Sequence, residues 1–269
     1  MEATPGALPS RRHAPWVHLA ATLLWTWVCW GAAAVTADDW LEPHALVLFV
    51  LGGLGPLLVA TVLVGLGHAD ESLSAFWRRA LDPRRMAARW WLVVTALAVL
   101  PPLVIRLGVD GGPGDGIVAT GPVAFLVVGA LAGAAEEPGW RGYAQEGLQR
   151  RMPVVAASLV VGVAWAAWHL PLFWIAGTYQ HGLGTGTRGF WTFHLAILLG
   201  TVIYAWVYNA AGRLTVAAVW LHAAANAANE LFAAEDAEGW SLGLTAAIAL
   251  ALAVGSWRWL SRPAGMSAP

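Results

Sequence analysis

The sequence predicts an all-α polytopic membrane protein, with about eight transmembrane helices around an intramembrane active-site cavity. Three observations lead there. Of the 269 residues 58% are hydrophobic and 12% charged, with a mean hydropathy of +0.61, whereas soluble domains carry roughly 25% charged residues. Apolar runs long enough to cross a bilayer recur along the chain, separated by short polar loops. A few ionisable side chains interrupt those runs, where each costs about 2.5 kcal/mol or more and is rarely kept without a use. The net charge of -1, with the arginines scattered through loops, points to no nucleic-acid partner. A single cysteine, Cys29, excludes an internal disulfide and a Cys-type zinc site. All fifteen basic residues are arginine, for which the sequence offers no physical reason.

Residues 1–14 form a polar arm with Arg11 and Arg12, expected on the cytoplasmic side. Residues 15–116 are expected to hold three transmembrane helices. The first, about Pro15 to Thr36, is too long for a signal-peptide core and lacks a small-residue cleavage site, so it reads as retained. The second, about His44 to Leu66, contains Gly52-Gly53-Leu54-Gly55-Pro56, which permits close packing and a kink. Between the second and third lies the basic segment 70–89, with Arg78, Arg79, Arg84, Arg85 and Arg89 beside Leu73, Phe76, Trp77 and Leu81. It reads either as an amphipathic helix on an anionic leaflet or as a solvated loop that fixes orientation.

The third run, about Trp90 to Gly108, precedes a catalytic core at 117–233, with runs at Ile117 to Gln149, Pro153 to Ala176, Gly189 to Asn209 and Leu214 to Ala233. Residues 234–269 supply a last span, Trp240 to Leu260, and a tail. Arginine-bearing loops alternate with loops holding Asp38-Asp39-Glu42, Asp110/Asp115 and Glu235-Asp236-Glu238, and Arg188 alone stands clearly on the acidic side. By the positive-inside rule both termini are cytoplasmic, in a prokaryotic inner or plasma membrane. Trp16, Trp40, Trp90, Trp240, Trp257 and Trp259 sit near span ends, as an interfacial belt requires. The glycine-rich loop Gly182 to Gly189 lacks the lysine and the strand-helix context of a phosphate cradle.

Function is sought at Glu136-Glu137-Pro138-Gly139-Trp140-Arg141, which follows fifteen uncharged residues. Successive helical residues turn about 100 degrees, so Glu137 and Arg141 share a face and can pair while Glu136 points elsewhere. A structural ion pair is the preferred reading of Glu137 and Arg141, and Glu136 is left with nothing nearby in sequence to neutralise it. Pro138 removes a backbone hydrogen bond and is expected to kink the helix or start a new one. Irregular backbone at that depth is tolerated where protein or trapped water covers it.

Two later runs carry Trp165-Ala-Ala-Trp-His169 and His222-Ala-Ala-Ala-Asn226. Measured from the Arg150-Arg151 turn, Glu136 and His169 rise to the same level, about 22 to 24 Å at 1.5 Å per residue. His222 and Asn226 rise about 14 and 20 Å from Arg213 and share a face. His18, His44, His68, His181 and His194 lie at span ends or in loops with no such convergence, and Asn229 and Glu230 read as cavity lining or end-of-span residues. Asn209 and Arg213 read as a cap of the sixth span and an anchor of the seventh.

A carboxylate between apolar walls gains basicity and can take a proton from water. Glu136 is therefore the candidate base, His169 can share its proton or orient the water, and His222 with Asn226 can donate to the oxyanion. Neither serine nor cysteine stands among these residues as a nucleophile.

The sequence Glu136-Glu137-x-x-x-Arg141, Trp165-x-x-x-His169 and His222-x-x-x-Asn226, in that order, resembles the three motifs of the CPBP family. That family comprises type II CAAX prenyl endopeptidases and bacteriocin-processing enzymes, also called the Abi family. The likeness covers about Val118 to Ala233. It implies an eight-helix intramembrane glutamic protease open to the cytosol, acting on membrane-associated or lipidated peptides. It also implies that Glu136 and His169 activate water while His222 and Asn226 stabilise the oxyanion. The second motif usually begins with phenylalanine; Trp165 stands here and reshapes the pocket wall.

No cofactor is required by this reading. Two alternatives are a zinc metalloprotease, ranked lower because no His-Glu-x-x-His helix is present, and a non-catalytic membrane scaffold or bacteriocin-immunity protein. Substrate identity and oligomeric state are not legible in the sequence.

Overall fold

The computed structural model describes residues 13–109, 121–232 and 238–264. The arm to residue 12, the acidic loop with Asp110 and Asp115, Glu235-Asp236 and the end of the tail lie outside them. The described residues contain helices and no strand. They form α1 (Ala14–Thr36), α2 (Pro43–Gly53), α3 (Gly55–Gly65), α4 (Leu73–Leu81), α5 (Ala88–Val109) and α6 (Gly121–Glu137). A π-helical stretch (Pro138–Gln145) and α7 (Glu146–Gln149) continue α6. Next come α8 (Val154–Trp168), a 3₁₀ turn (Leu170–Trp174), α9 (Tyr179–Leu183), α10 (Arg188–Ala210), α11 (Thr215–Leu231), α12 (Glu238–Gly255) and α13 (Trp257–Leu260).

α1, α5, α8 with its 3₁₀ turn, and α10 are long and apolar enough to cross a membrane, and the bent α2–α3 pair passes the same test when its two helices are taken as one span. The chain is an integral membrane protein. Three of the eight expected runs are helical without meeting that criterion: α6, which passes into the π stretch, α11, and the apolar part of α12.

The kink expected at Gly52 to Pro56 is a 46° bend. Pro56 has no N–H for the Gly52 carbonyl, and α1 donates to that carbonyl and to two of its neighbours. Thr26 Oγ1 donates to Gly52 O at 2.8 Å, Trp25 Nε1 to Leu51 O at 2.8 Å and Trp30 Nε1 to Phe49 O at 2.8 Å. His18 Nε2 donates to Pro56 O at 3.1 Å, a structural use of a histidine that the sequence left unassigned. The bend is therefore a seat built by α1.

On that seat rests Gly139: a Cβ there would stand 2.4 Å from Pro56 O. Gly139→Ala is expected to destabilise the protein by about 1–3 kcal/mol, as overpacking does. Thermal melting in detergent micelles measures it, and an unchanged Tm would mean that the contact yields.

Segment 70–89 holds a helix, α4, capped by Ser72 Oγ accepting from Ala75 N, but the helix does more than lie on a leaflet. Phe76 and Ala80 are buried against protein, Phe76 packing in a cluster with Tyr143. Arg79 turns inward and donates to Glu71, to Tyr208 Oη (2.8 Å), to Thr215 Oγ1 (3.1 Å) and to Gly142 O (2.9 Å). Burial opposes the Arg79 charge, yet Tyr208, Glu71 and Glu146 hold its guanidinium above the usual value. Leu73 and Leu81 keep an outward apolar edge. Asn209, near the end of α10, donates to Ala205 O at 2.8 Å and also exchanges hydrogen bonds with Gln149, 3.0 Å each way.

Candidate active site

The end of α6, the π stretch that continues it, the end of α8 and the interiors of α10 and α11 meet at the site. α6 delivers Glu136 and Glu137 on its last turn, and the π stretch delivers Arg141. The α-helix ends at Glu137 and the π stretch starts at Pro138, with the proline in its first turn, so the winding changes where a residue without an N–H stands. Glu137 and Arg141 pair as the spacing predicts, Arg141 Nη1 lying 3.1 Å from Oε2 and 3.2 Å from Oε1.

α11 is drawn against α6 by two glycines four residues apart. A Cβ at Gly133 would stand 2.8 Å from Val219 O and 3.1 Å from His222 Cβ, and one at Gly129 2.9 Å from Ala223 O and 3.1 Å from Asn226 Cβ. Small residues at that spacing let backbones approach closely, so the His222 and Asn226 face of α11 is pressed onto α6.

His222 Nδ1–H donates to Glu137 Oε1 at 2.9 Å, and its Nε2 lies 4.0 Å from Glu136 Oε1. The geometry adds a partner to each glutamate. Glu137 is more than half of a structural pair, since it also orients a motif histidine. Glu136, unneutralised along the chain, has an imidazole beside it across the helix interface.

α8 contributes Trp165 and His169. Trp165 Nε1–H donates to Glu136 Oε2 at 2.8 Å, so the residue expected only to reshape the pocket wall touches the candidate base. His169 caps α8, where the last carbonyls lack intrahelical partners. Its backbone N–H bonds Ala166 O at 3.2 Å, and its Nδ1–H donates to Trp165 O at 2.8 Å. That bond sets the tautomer and leaves Nε2 a free lone pair when the ring is neutral.

Trp165 is the hub. Its ring centroid lies 5.8 Å from that of His169 and 6.0 Å from that of His222, and its face lies 4.4 Å from the Arg141 guanidinium carbon. From α10, the Tyr204 ring stands beside that of Trp165 with its centroid 4.3 Å from the same guanidinium carbon, and Thr201 Oγ1 accepts from Arg141 Nη2 at 3.3 Å. The sequence reading missed these two. The available signal was the recurrence of Thr201, Tyr204 and Tyr208 three and four apart on one face of an apolar helix.

Glu136, Glu137, Arg141, Trp165, His169 and His222 are thus brought together. Asn226 stands one turn beyond His222 and is exposed, and it shares only the face, not the hydrogen-bond network. Among the described residues no three His, Cys, Asp or Glu side chains converge as metal ligands. The arrangement offers a buried carboxylate with one fixed oxygen, an imidazole with a free nitrogen, and a second imidazole anchored by a neutralised carboxylate. Together they can accept a proton and donate to a developing oxyanion.

Comparison with known proteins agrees with the motif order. Residues 119–228 match the family model described as type II CAAX prenyl endopeptidase Rce1-like. Over 244 residues the chain is 26% identical to CAAX prenyl protease 2 of Methanococcus maripaludis, covering 84% of this chain and 88% of that protein. The chain is thus similar to the type II CAAX prenyl endopeptidases. The matched region contains all three motifs and every residue of the network above, and the relationship supports endopeptidase activity in a membrane.

Proposed function

We propose that the protein hydrolyses peptide bonds of membrane-associated or lipidated substrates by a glutamate- and histidine-activated water, with its termini on the cytoplasmic side. Water oxygen attacks the scissile carbonyl carbon while its proton passes to Glu136 or His169 Nε2. The carbonyl oxygen becomes an oxyanion, receiving hydrogen bonds from His222 Nε2–H and the Asn226 amide. The stored proton then goes to the leaving nitrogen as the C–N bond breaks, giving a carboxylate and an amine. His222 fits the donor role as an imidazolium, with Nδ1–H held by Glu137 and Nε2–H turned inward.

The observation carrying this reading is that Trp165 bonds Glu136 while its carbonyl bonds His169 and its ring borders His222. Three separated segments thus share one buried point, an arrangement with no evident packing need. The test is cleavage of an internally quenched farnesylated peptide ending in a CAAX sequence by protein in liposomes, with the bond located by mass spectrometry. An unprenylated copy asks whether the lipid matters. Turnover should survive a strong chelator, and failure to cut either peptide would overturn the reading for this substrate class. Asn226→Ala is expected to lower kcat by about 10²- to 10³-fold, as loss of an oxyanion donor does; wild-type kcat would remove Asn226 from that role.

A further inference from the structure

We propose that Trp165 is a positioning residue for Glu136, fixing one carboxylate oxygen so that the other is presented for proton transfer. This rests on the reading of Glu136 as the base. The indole Nε1–H donates to Oε2 at 2.8 Å, and both residues are buried. Oε1 is the oxygen facing His222, 4.0 Å from Nε2. The terminal torsion of a glutamate is broad and two-fold, so a carboxylate without a fixed donor wanders between orientations. An indole suits the task because it donates and cannot accept; it orders the carboxylate without competing for the proton.

Trp165 is itself immobilised. Its face lies on Arg141, the Tyr204 ring meets it at 5.5 Å, and its carbonyl holds His169. The indole cannot swing without opening the corner that it and Tyr204 form around Arg141. One side chain therefore links the oxygen of the base, the guanidinium that neutralises Glu137, and the tautomer of His169.

The ionisable groups around Glu136 are Glu137 and Arg141 on its own run, His222 from α11, and, past the indole, His169 at the end of α8 and Tyr204 on α10. Trp165→Phe changes none of these residues: it keeps an aromatic face for Arg141 and deletes the N–H. With the quenched farnesyl peptide as probe, kcat is expected to fall by about 10- to 100-fold, the scale of a lost orientation, with KM within about twofold. The acid limb of the kcat–pH profile should move to higher pH, because a donor to the carboxylate has been removed. Wild-type kcat with an unmoved limb, or a change confined to KM, would overturn the proposal.

Glu136→Gln run in parallel separates the two ideas. If it is inactive while Trp165→Phe equals the wild type, only the positioning role fails; if it turns over normally, the base assignment itself fails. Should Trp165→Phe not insert, indole ¹⁵N–¹H spectra serve instead. One of the eighteen tryptophan resonances should lie downfield and move in Glu136→Ala, and a spectrum with no such resonance would overturn the proposal.

Discussion

Glu136→Gln is expected to lower kcat for peptide cleavage by about 10²- to 10⁴-fold, the usual contribution of a general base, in a protein that inserts and melts as the wild type. The exchange is close to isosteric and keeps an oxygen for the Trp165 indole, so the packing seen at 2.8 Å is preserved. It removes the ability to accept a proton from water. Normal turnover by the purified variant would defeat the assignment of Glu136, and a protein acting only as a membrane scaffold should keep its biological effect after the change. Comparing peptides that accumulate in cells carrying wild-type and Glu136→Gln protein would identify the substrate as well as test catalysis.

Arg141→Ala should cost about 3–5 kcal/mol of stability, the loss expected when one partner of a buried ion pair is removed. Glu137 is 0% and Arg141 1% exposed, so neither charge has water to fall back on. The double replacement Glu137→Leu with Arg141→Met should recover most of that loss, since no unpaired charge remains. It should nevertheless stay inactive, because His222 Nδ1 has lost its 2.9 Å acceptor. Thermal melting in micelles and peptide cleavage, measured on both proteins, separate the two effects. An Arg141→Ala protein that melts with the wild type would mean that the pair is hydrated. A double variant of full activity would mean that Glu137 does not orient His222.

Much of the site was readable along the chain because helical geometry relates near neighbours. The Glu137–Arg141 pair follows from four-residue spacing. The bend in the α2–α3 pair follows from glycines before a proline. A comparable height for Glu136 and His169 follows from counting residues from a shared turn; the structure adds that Trp165, one turn before His169, is the residue that bonds Glu136. Contacts between helices were less accessible. Whether Trp165 turns its indole towards Glu136, 29 residues away, depends on the rotation of α8 about its own axis, and no periodicity encodes that angle. The same holds for Glu137 with His222, and for Thr201 and Tyr204, whose helix carries no motif. Arg79 was misplaced for a related reason: a basic residue in an amphipathic segment reads as facing lipid headgroups unless the acceptors awaiting it are known.

Composition and run length alone determined that this is a helical membrane protein, because a chain with so few charges has no aqueous surface to form. The motif order alone indicated which side chains belong together. Tertiary structure decided what those side chains do to one another. Glycines at 129 and 133 bring α11 onto α6, the π stretch carries Arg141 against two aromatic rings, and one indole joins the carboxylate to the rest. Those relations depend on how close the helices approach and how each is turned, quantities that packing sets and that a linear pattern does not contain.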